Sequence, residues 1–244
     1  MVAILAVEVL VVGLAAFPSA FALTTLAALA SGTPRAAILA LAAGPAYVLF
    51  ALCLMPLSAA STWLTGARTP SNAEMHIADM SWPLMRWARY LAAAHVVRVF
   101  AGTLFRGTPV WSSYLRMNGA RLGRRVFVNS LSVSDHNMLE FGHDVVVGAE
   151  VQLSGHTVEH GIVKTGRVVL GDGVTIGLCS VIDIDVEVGA RAQVGALSLV
   201  PKHTRLEAGV VYAGIPVRPL SSIRDQPPAI LGTKSISEVG SSGS

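Results

Sequence analysis

The chain has 244 residues, of which 52% are hydrophobic and only 14% charged, with a net charge of +3 and 23 glycines. A mean hydropathy of +0.59 excludes an ordinary water-soluble domain that hides all its apolar residues in one core, and requires a membrane segment. Two cysteines, Cys53 and Cys179, exclude a disulfide framework and a cysteine-rich zinc site, and read as unpaired buried thiols.

Residues 3–30 form an apolar stretch broken only by Glu8 and Pro18, long enough to cross a bilayer of about 20 residues' thickness. Glu8 lies near its start and is expected at the membrane–water boundary. The stretch lacks the basic flank and the short length of a signal peptide. "SGTPR" (31–35) is a tight turn, and residues 36–64 are a second span, so the two read as a helical hairpin. Between residues 66 and 125 there are nine arginines against Glu74 and Asp79. Arginine-rich flanks stay in the cytoplasm, which puts both hairpin ends on that side of a plasma (inner) membrane and makes the protein multi-pass.

Residues 81–105 read as an amphipathic helix. Trp87, Tyr90, Leu91, His95, Val96 and Phe100 recur at helical spacing with Arg86, Arg89 and Arg98 among them. Such a helix suits the membrane surface, and packing against the main domain is the alternative. Residues 106–125 lead into the next region. The expected divisions are a transmembrane hairpin (1–65), a cytoplasmic juxtamembrane linker (66–120), a repeat domain (121–220) and a mobile polar tail (221–244).

From Leu122 the sequence falls into sixes, each opening on an aliphatic or aromatic residue: "LGRRVF", "VNSLSV", then, after a slip, "FGHDVV", "VGAEVQ" and "LSGHTV". After a break come "LGDGVT", "IGLCSV", "IDIDVE", "VGARAQ", "VGALSL", "VPKHTR", "LEAGVV" and "YAGIPV". A period of six fits neither a helix nor an ordinary strand and belongs to a parallel β-helix. The opening residue and the small fifth residue face inward, and glycine at the second position is expected to turn the corner. The fold class is therefore mainly β: a β-helix preceded by the hairpin and the amphipathic helix.

These repeats resemble the left-handed β-helix of the hexapeptide-repeat acyltransferases. His156 before the break, and "GRVVLGDGVTIG" (166–177) after it, are similar to that family's catalytic histidine, loop and restart. The resemblance implies a homotrimer with sites between prisms and an acyl-CoA or phosphopantetheine-bound acyl donor, with no metal and no nucleic acid. It assigns His156 as the general base, and Asn129 in "VFVNS", with Asp135 and Asn137, to the acceptor side. Glu159 and His160 are loop or orienting residues, with Asp135 and Glu140 also in reach of the imidazole. Gly195, Lys202 and Arg218, toward the closing "VYAGIPVRPL", fall on the thioester-donor side. Residues 157–166 are expected to leave the prism as a loop reaching toward the next subunit. His136 and His143 are open between surface and acceptor cleft.

"RMNGARLGRRVFV" and "GALSLVPK" also resemble the membrane-bound β-helix units of polylysine-synthetase-type ligases. No adenylation or carrier module is readable, so the chain is expected to be a free-standing or excised unit, with an adenylation–carrier protein as partner in the second case and membrane lipid as surroundings in both. Three functions stay open: an acyltransferase, an amide-forming condensation unit, and a non-catalytic trimeric scaffold.

Overall fold

The computed structural model describes residues 2–220; the expected tail lies outside them. Two helices, α1 (Val2–Leu29) and α2 (Thr33–Leu64), pair along their length. Both are long and apolar enough to cross a membrane. Val2, Val9, Leu10, Phe17 and Phe21 of α1 and Leu41 of α2 remain exposed, an apolar outer face of the kind lipid would cover.

Helix α3 (Trp82–Val97) runs antiparallel to α2. Arg89 touches Ser61 near the end of α2, and the Tyr47 hydroxyl, fourteen residues earlier, donates to the Phe100 carbonyl at 2.6 Å. α3 therefore packs between the hairpin and the β-helix, burying Leu84, Arg89, Tyr90, Ala93 and Val97, rather than lying free on a membrane surface. A π turn (Arg98–Gly102) and a short helix (Thr103–Phe105) extend it. Glu8 is not at a wet boundary. It is buried, with Arg89 Nη1 at 3.5 Å, while Arg89 Nη2 donates to Ser61 Oγ at 3.1 Å. One guanidinium thus joins both hairpin helices to α3.

A fourth helix, α4 (Pro109–Met117), lies in the stretch read as a simple lead-in. Thr108 caps it by accepting from the Trp111 N–H, Pro109 starts it, and Trp111, Tyr114 and Leu115 are buried.

Three parallel sheets then wind into a prism. Thr175 pairs with Gln193 and Gln193 with Val211, a step of eighteen residues, or three hexapeptides per coil. The opening residues fill the interior: Val147, Leu153, Leu170, Ile176, Ile182, Val188 and Val200 are all buried. The glycines do different work from the expected one. The corner residue in the left-handed backbone region is the fourth of ten of the thirteen units, such as Asp144 (φ 58°), Cys179 (φ 55°), Arg191 (φ 60°) and His203 (φ 60°). Glycine at the second position is needed because the next coil stacks on it. A Cβ at Gly177 would lie 2.4 Å from the Ala196 nitrogen, and at Gly142 2.7 Å from that of Asp172. Cys179 is exposed at its corner rather than buried.

The break is also more ordered than a loop. Thr175 pairs with Val146 across twenty-nine residues, so eleven are inserted into one coil. They form an antiparallel hairpin, His156–Glu159 with Ile162–Thr165, turning at His160 and Gly161, both at positive φ. The strand Glu74–His76, from the segment after α2, adds to its edge.

Two predictions follow from this packing. Gly177→Ala should destabilise the domain by about 1–3 kcal/mol through coil–coil overlap, whereas Cys179→Asn, at a left-handed corner, should stabilise it by roughly 0.5–1 kcal/mol; thermal unfolding in detergent separates the two. For the hairpin joint, Glu8→Leu alone should cost about 3 kcal/mol and the Glu8→Leu/Arg89→Leu pair much less, because the single change strands a buried charge. A double-mutant cycle showing additivity would refute that coupling.

Candidate active site

The two irregularities of the repeat meet in space. The slip after "VNSLSV" places Asp135 in the left-handed region (φ 52°) at the start of the short turn His136–Met138. The break places His156 at the base of the inserted hairpin. Gly155 allows the approach, since a Cβ there would lie 2.7 Å from Asp135 Cβ and 2.8 Å from Met138 Cβ. His156 Nδ1 is then 2.5 Å from Asp135 Oδ2.

Asp135 is fully buried (0% exposed), and its carboxylate is held by donors from three separate elements. Oδ1 accepts from the Thr69 hydroxyl at 2.6 Å and from Trp87 Nε1–H at 3.1 Å. Oδ2 accepts from the Ser134 hydroxyl at 3.0 Å. Burial alone would raise the Asp135 pKa; hydrogen bonds from His156, Thr69 and Ser134, with the attraction of the His156 ring, outweigh it, so the carboxyl lies below its ordinary value. An ionised Asp135 offers only acceptors, so the proton between the two sits on His156 Nδ1, which in the neutral ring leaves the lone pair on Nε2. The Trp87 ring meets the imidazole edge-on, with centroids 5.0 Å apart. Ser154 Oγ also binds the His156 backbone, accepting from its N–H and donating to its carbonyl.

A cleft of about 710 Å³ adjoins His156. Its walls are α3, the corner Leu131–Ser134 with Ser154, and Leu5 and Glu8 of α1. His136 also lines it, 1% exposed between the Tyr90 and Tyr114 rings. Burial pushes the His136 imidazole down to about 4, so it is neutral. Its Nε2 lies 3.1 Å from the Val133 carbonyl and its Nδ1 has no hydrogen-bond partner.

The other expected site residues are placed as follows. Asn137 is tied at both ends to Thr69, donating to its carbonyl at 2.8 Å and accepting from its N–H at 3.3 Å, which clamps the post-α2 segment over Asp135. Asp135 itself contacts the imidazole and has no surface left for an acceptor. Glu159 is not the orienting group; its carboxylate binds Lys202 and lies 3.7 Å from Lys164. Glu140 pairs with Arg121 and Arg167. His160 is exposed at the hairpin turn. Asn129 sits beside Gly107 at another corner. The Gly195 N–H donates to the Tyr212 carbonyl, and Arg218 lies on the strand paired with Val211–Ala213. None of Asn129, Gly195 and Arg218 lines the cleft beside His156. His143 accepts from the Arg124 N–H on an exposed corner. Thr69, Ser134 and Trp87 were missed in the sequence. Only Trp87 carried a signal there, as part of the amphipathic stripe. Among the described residues no group of three or more His, Cys, Asp or Glu is arranged to hold a metal ion.

No family model matches the chain. Galactoside O-acetyltransferase of Escherichia coli is 32% identical over 126 residues, covering 48% of this chain and 60% of that protein. Delta-poly-L-ornithine synthetase of Acinetobacter baumannii is 24% identical over 142 residues, covering 58% of this chain and 11% of that one. The chain therefore spans less than two thirds of either relative. Among solved structures, a galactoside acetyltransferase in complex with coenzyme A is 22% identical with a TM-score of 0.44, over 61% of this chain and 85% of that one. A hexapeptide-repeat acetyltransferase from Vibrio cholerae complexed with acetyl coenzyme A is 26% identical with a TM-score of 0.37, over 42% and 59%. A six-residue repeat wound into eighteen-residue coils thus goes with sequence similarity to a galactoside O-acetyltransferase and to a poly-ornithine synthetase.

Proposed function

We propose that the chain is a membrane-anchored acyltransferase that takes an acyl group from a coenzyme A or carrier-bound thioester and gives it to a hydroxyl or amine, with His156 as general base. The observation that carries this is the 2.5 Å contact between His156 and the buried Asp135, beside an open cleft. Nε2 removes the proton of the acceptor as it attacks the thioester carbonyl. A carbon–oxygen or carbon–nitrogen bond forms, the carbon–sulfur bond breaks, and the proton passes from Nε2 to the departing thiolate. Asp135 fixes the tautomer and stabilises the imidazolium; it is a positioning residue. The E. coli relative is an acetyltransferase by name, which supports coenzyme A thioesters as donors.

The left-handed trimer expected from the family resemblance fits this reading. Asn129, Gly195 and Arg218 do not line the cleft of their own protomer, which suits roles in a site completed by a second copy. The arginine-rich segment after the hairpin supports a cytoplasmic catalytic domain on the inner membrane. The match to a poly-ornithine synthetase supports a second reading, an amine acceptor and an amide product. Stability of the product to hydroxylamine distinguishes the amide from an ester.

His156→Ala should lower thiol release from acyl-coenzyme A by about 10²–10⁴-fold, the usual worth of a general base; an unchanged rate removes His156 from the mechanism. Asp135→Asn should lower kcat by about 10²-fold or more with little change in KM, since it leaves the nucleophile's pocket intact and the imidazole mis-oriented. Stability should respond to pH as well. Because the folded-state pKa of Asp135 is depressed, its contribution is present above the ordinary carboxylate range and is lost as pH falls through the depressed value. Wild type should therefore exceed Asp135→Asn in unfolding temperature at neutral pH, with the gap closing in strong acid.

A further inference from the structure

The cleft beside His156 runs along α3 beside the apolar hairpin. Near its catalytic end, Trp87 touches His156 and, two residues on, Arg89 meets Glu8 and Ser61 at the outset of α1 and the close of α2. α3 then descends along the hairpin. Phe100 is level with Tyr47, and the neighbouring Ala46 carbonyl accepts from Ser19 Oγ of α1. From Trp87 to Arg98 the helix covers about 16 Å at 1.5 Å per residue. Leu91, His95 and Arg98, at helical spacing, all line the cleft along this descent.

Arg98 is exposed, beside a residue level with the middle of α2. Val99 (52%), Phe100 (42%) and Leu104 (41%) are exposed around it, with the apolar outer face of the hairpin alongside. A long cationic side chain set among exposed apolar ones can lay its stem against lipid and lead its guanidinium to an anionic group. One guanidinium nitrogen is held 2.8 Å from His95 Nδ1, and no carboxylate among the described residues pairs with it. Between this cation and His156 the cleft is lined by Ser132, Ser134, Ser154 and His136.

We infer that this cleft binds the acyl acceptor, and that the acceptor is an anionic membrane amphiphile. Its phosphate or carboxylate rests on Arg98, its chain leaves past Phe100 into lipid, and its polar head extends along the serines to His156. This inference rests on the acyltransferase reading and adds the substrate class and the direction of delivery: the acceptor enters from the bilayer rather than from the cytoplasm.

The test uses the full chain in phosphatidylcholine nanodiscs, with a benzophenone amino acid at Leu91 as photocrosslinker. The probes are radiolabelled lysophosphatidylglycerol and lysophosphatidylcholine. The expected result is preferential labelling by the anionic probe, weakened about tenfold by Arg98→Gln, the scale of one charge-assisted contact. Arg106→Gln, whose arginine already pairs with Glu150, should not change it. Equal labelling by both probes overturns the proposal. So does full competition by glycerol 3-phosphate, which would mark a soluble phosphate ester's site, or by coenzyme A, which would mark the donor's. His156→Ala separates the two claims. It should abolish thiol release and leave lipid labelling intact, whereas intact release with intact labelling would sink the catalytic reading alone.

Discussion

The arrangement depends on one buried carboxylate. Asp135 has no contact with solvent, and an ionised acid can stay there only if its oxygens are filled with donors. Those donors come from the segment after α2 (Thr69), from α3 (Trp87), and from the β-helix itself (Ser134, His156). Satisfying Asp135 therefore fixes three parts of the chain against one another. It also orients the His156 ring, so the group that locks the architecture is the one that positions the proposed base.

This explains why the region between hairpin and prism is not a loose linker. Ala67 and Thr69 are buried, Asn137 grips the Thr69 backbone, and Thr165 Oγ1 donates to the Pro70 carbonyl at 2.6 Å. Glu74–His76 then joins the inserted hairpin as a third strand. Two residues along α3 from Trp87, Arg89 joins both hairpin helices to α3. The apolar hairpin and the candidate catalytic pair are thus joined through α3. A rigid joint of this kind holds the cleft at a constant height relative to the apolar helices.

The prism was legible because its constraint is periodic. Every sixth residue must face a narrow interior, so Leu153, Ile176 and Val194 announce themselves. The break after His156 was visible for the same reason, as a departure from the rhythm. The identity of its partner was not. Asp135 lies twenty-one residues earlier in a second irregularity, and nothing in local sequence says that the slip and the break fold onto each other. Glu159 was the nearer carboxylate in sequence, but strand alternation and the two lysines carry it elsewhere. The hairpin could have been read from "HTVEHGIVKT", where His160-Gly161 is a two-residue turn between alternating residues. Helix α4 could have been read from Thr108-Pro109, a start signal hidden by its short length. The glycine corners show the opposite error: the right residue was singled out for the wrong reason, because coil stacking is a long-range contact.

The central claim is that Asp135, ionised and buried, holds the proton of His156 on Nδ1. Nitrogen-15 NMR of the full chain labelled at histidine measures this directly. In its neutral form His156 should carry its proton on Nδ1 and leave Nε2 bare, and Asp135→Asn should abolish that preference. A His156 ring with its proton on Nε2, or a tautomer indifferent to Asp135→Asn, would contradict the account.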